Sequence, residues 1–228
     1  ENPYARQGKI EKVLMVLIAS NRGLCGAFNT NVTKKAFELC EASYPELFLQ
    51  NKIDFITVGK KANDMLKSKK IEIKESHQDI YENLDFKNVS ILANHVMEQF
   101  TSKKYDAVYL VYNEFKNVAV QILEAEQFLP VKIEPKEDLH EIDYIFEPNK
   151  AGITEQLIPY ALKIQFYKAI LESNASEHGA RMTAMHKATD NATDLLRDLR
   201  LKYNKARQAA ITNEILEIVG GAEALHKK

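Results

Sequence analysis

The first residues in this sequence that could do chemistry are a thiol and its neighbours. Cys25 sits between Gly23 and Gly26 in SNRGLCGAFNTN, residues 20–31, after the apolar run KVLMVLIA and before a segment with helical spacing. Strand, glycine turn and helix is an arrangement that holds phosphates in many proteins and presents a nucleophile in others. Three readings are open: a nucleotide cradle, a cysteine nucleophile, or a tight turn that does no chemistry. A dinucleotide cradle needs G-x-G-x-x-G, and a P-loop needs a lysine with serine or threonine after its last glycine. RGLCGAFN has neither. Two glycines three apart at such a turn also serve simply to let the chain bend. As a nucleophile site, Gly23-Leu24-Cys25-Gly26-Ala27 resembles a G-x-C-x-G elbow with alanine in the last glycine's place. A helix N-terminus beside Cys25 would favour its thiolate. Against this, Ser20 to Leu24 separate the cysteine from its strand, and no histidine lies nearby in sequence to act as base.

The other chemistry-bearing residues are sparse. Cys25 and Cys40 are the only cysteines, too few for a disulfide framework, so reduced thiols in an intracellular compartment are expected. Neither has the paired spacing of a zinc site, and the histidines at 77, 95, 140, 178, 186 and 226 are scattered. No metal or cofactor is therefore expected. The 228 residues carry a net charge of −1, which gives no global field towards nucleic acid or an anionic membrane. The 45% hydrophobic content suits a folded chain rather than a disordered one. No apolar run approaches the roughly 18 residues that span a bilayer. The N-terminal ENPYARQGKIEK lacks the order of a signal peptide and reads like a linker, as though the chain were entered partway along.

The elements that must position these residues fall into two regimes. From Lys12 to about Pro148, KVLMVLIA, IDFITVG, YDAVYLVY and VAVQILEAEQFL read as strands, with IDYIFEP as a last edge strand. The first and third are nearly continuous apolar runs, as expected for strands covered on both faces. Helical spacing occupies Asn31–Leu39, Lys60–Lys67 and Lys87–Phe100. This order predicts an α/β sandwich with a partly parallel sheet. After Pro148 the pattern becomes one helix from Ile153 to Leu225, broken by no proline except Pro159 in its first turns. At ~1.5 Å per residue such a helix is close to 100 Å long. Met182, Met185, Thr189, Ala192, Leu196, Leu199, Tyr203, Ala206 and Ala210 step alternately by three and four, a heptad seam that asks for a partner helix. Ile211, Ile215, Ile218, Ala222 and Leu225 continue it in shifted phase. A basic belt (Arg197, Arg200, Lys202, Lys205, Arg207) is followed by Glu214, Glu217 and Glu223. The mix of Tyr203, Asn204, Gln208 and Thr212 among the arginines offers more hydrogen-bonding variety than solubility requires. Apolar residues on most sides near the end predict enclosure by protein.

Loop and tail together resemble the gamma-subunit family of the rotary ATP synthases. Its members carry a loop like SDRGLCGGFN after the first sheet strand and end on SExxARMxAMxxATxNAxxLxxxLxxxYNKxRQAxITxEIxEIVxGAxAL. Here residues 176–225 read SEHGARMTAMHKATDNATDLLRDLRLKYNKARQAAITNEILEIVGGAEAL. The loop departs at Asn21, usually aspartate, and at Ala27, usually glycine. The family pattern opens with a long N-terminal helix antiparallel to the C-terminal one, and on that pattern the sequence given starts after it.

The resemblance implies a Rossmann-like α/β/α sandwich over residues 1–150 and a coiled-coil shaft helix over 151–228. It implies a non-catalytic rotor that binds no nucleotide and couples proton or sodium flow to the catalytic sites. The implied partners are the ring of alpha and beta subunits, the epsilon subunit and the membrane c-ring, on the cytoplasmic face of a bacterial plasma membrane. By matching positions, Arg207 and Gln208 would hydrogen-bond the alpha and beta catch loops, with Thr212, Glu214 and Glu217 on the same surface. Arg181 would face acidic beta loops lower on the shaft. The loop residues Arg22, Gly23, Cys25 and Gly26 would lie where domain and shaft meet, with Arg22 in rotor contact. An α/β enzyme using Cys25 and a plain coiled-coil scaffold are the competing expectations.

Overall fold

The computed structural model describes residues 2–6, 8–132 and 153–226. Val13–Ile18 (β1), Ile53–Val58 (β2), Glu75–His77 (β3), Ala107–Phe115 (β4) and Gln121–Leu129 (β5) form one sheet in the order β3-β2-β1-β4-β5. β1 pairs in parallel with β2 and β4, β2 in parallel with β3, and β5 runs antiparallel to β4. The helices are Phe28–Ser43 (α1), Pro45–Leu49 (α2), Lys60–Ser68 (α3), Phe86–Thr101 (α4) and Ile158–His226 (α5), the last preceded by a π-helical turn at Ile153–Leu157. The expected α/β class and the parallel centre of the sheet are thus present.

β1 is buried at all its positions because it lies in the middle of the sheet with helices on both faces. Alternate side chains feed two cores, as the period of a strand dictates. Leu14, Val16 and Ile18 point to the face carrying Val89, Ala93, Val96 and Phe100 of α4 and Leu162, Phe166, Ala169 and Ile170 of α5. Val13, Met15 and Leu17 point to the face carrying Val32, Ala36 and Cys40 of α1 and Ala62 and Leu66 of α3. Phe166 is fully buried and meets Phe128 of β5 edge to face at 5.5 Å. Such a pair contributes about 1 kcal/mol beyond its area burial.

Several boundaries differ from those the sequence suggests. α1 begins at Phe28 rather than Asn31 and runs on to Ser43. α2 and β3 were not anticipated: each is short, and ESH in β3 has no apolar alternation. The expected strand IDYIFEP lies outside the described residues.

Contacts group Glu1–Thr183 into one compact unit, comprising the sheet, α1 to α4 and the first part of α5. Ala184–Lys228 form a second unit, the remainder of α5. In that unit every side chain from Met185 to Ala224 is exposed, including the seam residues Leu196, Leu199, Ile211 and Ile215.

Candidate functional site

The loop after β1 is built around Asn29. Its side-chain amide donates to Ser20 Oγ at 2.9 Å and to Cys25 Sγ at 3.2 Å, while its Oδ1 accepts from the Ser20 N–H at 2.9 Å. Ser20 Oγ also reaches the Arg22 carbonyl. These internal bonds hold Leu24 at φ 63° and Gly26 at φ 61°. For leucine a left-handed backbone is a strained position, stabilised only by its surroundings. The outcome is a rigid turn that leaves Leu24 80% exposed, Arg22 at the surface and Cys25 only 2% exposed. The polar groups within reach of the sulfur are Ser20, Asn29 and the Arg22 carbonyl, none of them a base. Cys25 is a packed thiol that accepts a hydrogen bond.

The loop also caps the helix that follows β2. Asn21 Oδ1 accepts from the Lys60 N–H at 2.9 Å and the Ser20 carbonyl from the Lys61 N–H at 3.0 Å, so the start of α3 is capped from within the chain. Asn21 Nδ2 donates to the Gln78 carbonyl at 2.8 Å, a bond that an aspartate could not make. Gly59 enters α3 at φ 95°, and a Cβ there would stand 2.1 Å from the Ala19 carbonyl oxygen. The chain crosses itself so closely at that point that only glycine fits.

In a doubly wound sheet of this order, ligands bind beyond the carboxyl ends of the strands where the order reverses, here between β1 and β4. That place is occupied by α5. Ser173 Oγ donates to the Ile18 carbonyl at 3.4 Å, and Ile170, Ser173, Ser176 and Glu177 are all buried. Burial and then the nearby Glu177 charge push the Tyr81 phenol above its ordinary range. Further along, Glu177 accepts from Arg181 Nη2, and Arg181 Nε donates to the Gly23 carbonyl at 3.3 Å. Gly179 lies where the hairpin between β4 and β5 meets the helix: a Cβ there would be 3.1 Å from the Val118 carbonyl oxygen, and Thr183 Oγ1 donates to the same oxygen at 3.3 Å. The loop and the first part of α5 are therefore one bonded assembly.

Of the residues singled out in sequence, Arg22, Gly23, Cys25, Gly26 and Arg181 come together here. Arg207, Gln208, Thr212, Glu214 and Glu217 lie in the second unit, all exposed. At about 100° per residue, Gln208 and Thr212 flank the line of Ile211, Ile215 and Ile218 on one side, with Arg207, Glu214 and Glu217 on the other. Thr212 Oγ1 donates to the Gln208 carbonyl at 2.8 Å, so its proton is used within the helix. No ion pair engages Arg207, Glu214 or Glu217 among the described residues. Together these side chains make an exposed apolar line with polar flanks. Sequence reasoning missed Ser20, Asn29, Ser173 and Glu177. Nothing in their spacing marks them, since they meet only through the fold.

Comparison with known proteins decides the family. The family model described as ATP synthase matches residues 1–225. The ATP synthase gamma chain of Christiangramia forsetii is 54% identical over 223 residues, covering 98% of this chain and 76% of that one. The chain belongs to the ATP synthase gamma family. The gamma chain of Cytophaga hutchinsonii is 50% identical over 230 residues, covering 99% of this chain and 78% of the relative. In fold, a chain of the Euglena gracilis mitochondrial ATP synthase, solved as OSCP/F1/c-ring in rotational state 3, aligns with TM-score 0.70 and 28% identity over 95% of this chain and 74% of that one. A chain of the Tetrahymena thermophila mitochondrial central stalk and c-ring aligns with TM-score 0.63 at 24% identity, over 81% of this chain and 79% of that one, and supports the fold alone. As a gamma-family member the chain is a non-catalytic central-stalk rotor subunit of an ATP synthase, associated with that membrane-bound complex. The Cys25 enzyme and the plain scaffold find no support.

Proposed function

We propose that α5 works as the shaft of the rotor, carrying torque through contacts at Arg207, Gln208, Thr212, Glu214 and Glu217 to a surrounding ring of alpha and beta subunits. The observation that carries this reading is the continuity of α5 from a fully buried Phe166 and Ile170 to a surface where apolar and polar residues are exposed together. Only contacts that differ between conformations of a partner can shift its equilibrium. Arg207 suits such contacts, because its guanidinium forms bidentate, charge-assisted bonds to carboxylates and carries no competing ion pair among the described residues. The Met182–Ala210 seam would be covered by an antiparallel partner helix, and the apolar end from Ile211 to Leu225 by the upper bearing of the ring.

In this proposal residues 1–150 form the body that meets the epsilon subunit and the membrane c-ring, residues 151–228 form the shaft, and the complex stands on the cytoplasmic face of a bacterial plasma membrane. Arg22 reaches the beta subunits from the rigid loop. Arg181 acts there through the loop, since its bonds to Glu177 and to the Gly23 carbonyl support the turn that presents Arg22. The test is Arg207→Ala with Gln208→Ala in a reconstituted complex. Assembly or coupling should weaken while the sheet unit stays folded by circular dichroism. ATP-driven rotation at the unaltered rate and torque would sink the assignment.

A further inference from the structure

We draw no further inference here: the strongest candidate, the groove between β3 and α4 with Ile80 and Leu92 at its floor and Glu75, His77 and His95 at its rim, carries nothing, because Glu75 is already engaged by both histidines and nothing in the structure shows what covers the groove.

Discussion

Arg181 is where the geometry and the family resemblance pull apart, and a stability measurement separates them. Resemblance makes Arg181 a contact to another subunit, whereas the structure gives its guanidinium two internal tasks: pairing with Glu177 and donating to the Gly23 carbonyl at 3.3 Å. The Arg181 and Glu177 side chains are only 16% and 10% exposed, so solvent screens the pair weakly. Arg181→Ala would leave Glu177 shielded without a cation and the Gly23 carbonyl without its donor. Stranding one partner of a buried pair costs about 3–5 kcal/mol, and because this pair keeps some solvent contact the lower end, about 3 kcal/mol, is expected. For a unit of this size that is a fall in melting temperature of about 6–12 °C.

The assay is urea unfolding of the chain followed by far-ultraviolet circular dichroism, for Arg181→Ala, Glu177→Gln and the double variant. If the pair is internal, the double variant should recover at least about 1 kcal/mol of the summed single losses, the coupling expected of contacting residues. The reasoning is refuted if Arg181→Ala moves stability by no more than about 0.5 kcal/mol, as a surface substitution does, and the coupling vanishes. Arg181 would then be free for a partner.

Gly59→Ala should destabilise by more than about 3 kcal/mol, because a left-handed φ alone costs about 1–3 kcal/mol and the new Cβ would also overlap the Ala19 carbonyl at 2.1 Å; a denaturant midpoint checks it. Asn21→Asp exchanges the Gln78 bond for a charge at the start of α3. The two effects, each about 1 kcal/mol, should nearly cancel at neutral pH in low salt, with net destabilisation in high salt as the charge term is screened. Burial, and then the Glu41 charge, push the Cys40 thiol from 9.0 up to about 12. The folded state therefore keeps a proton that the unfolded chain releases. Stability should be full below about pH 9 and fall as pH rises from there towards 12, and Cys40→Ala should flatten that decline in a pH series of melting temperatures. For Glu75, burial raises the carboxyl's pKa but hydrogen bonds from His95, His77 and Gln99 outweigh it and hold the group below its ordinary 4.5. Its contribution is present above that value and lost as pH falls through the folded pKa, so Glu75→Gln should show a shallower acid limb.

The fold class was legible because it rests on local signals repeated along the chain. A short, β-branched apolar run such as VLMVLI is what a strand covered on both faces requires, and helical stretches between such runs favour parallel neighbours. α3 and α4 were placed to within a residue or two because their apolar spacing is bounded by charged residues. β3 was invisible because a three-residue edge strand of Glu, Ser and His is defined by its partner Ile56–Val58 and by no pattern of its own. The loop was conspicuous for the wrong reason. Its cysteine and glycines drew notice, yet its geometry is organised by Asn29 and Ser20, whose polar side chains look like ordinary helix-start residues. The long C-terminal helix was legible from its unbroken helical spacing. Its buried base was not, because Ser173 and Glu177 read as solvent-facing until the sheet is placed beneath them.

That buried base bears on how a shaft can transmit torque. A helix held by apolar packing alone can turn about its axis, since neighbouring apolar residues substitute for one another at modest cost. α5 carries devices that forbid such a turn. A shift of one residue, about 100°, would take Ser173 from the Ile18 carbonyl and replace Gly179 at the Val118 backbone by His178 or Ala180. Gly179 already leaves a Cβ only 3.1 Å of room there, so any such replacement would have to push the hairpin away. The Arg181 bond to the Gly23 carbonyl would break in the same movement, releasing the turn that holds Leu24 in its strained conformation. The crevice where doubly wound sheets otherwise admit a ligand has become a keyed socket. Its directional contacts fix the rotational register of the first part of α5 against the sheet, as a part that passes on rotation requires.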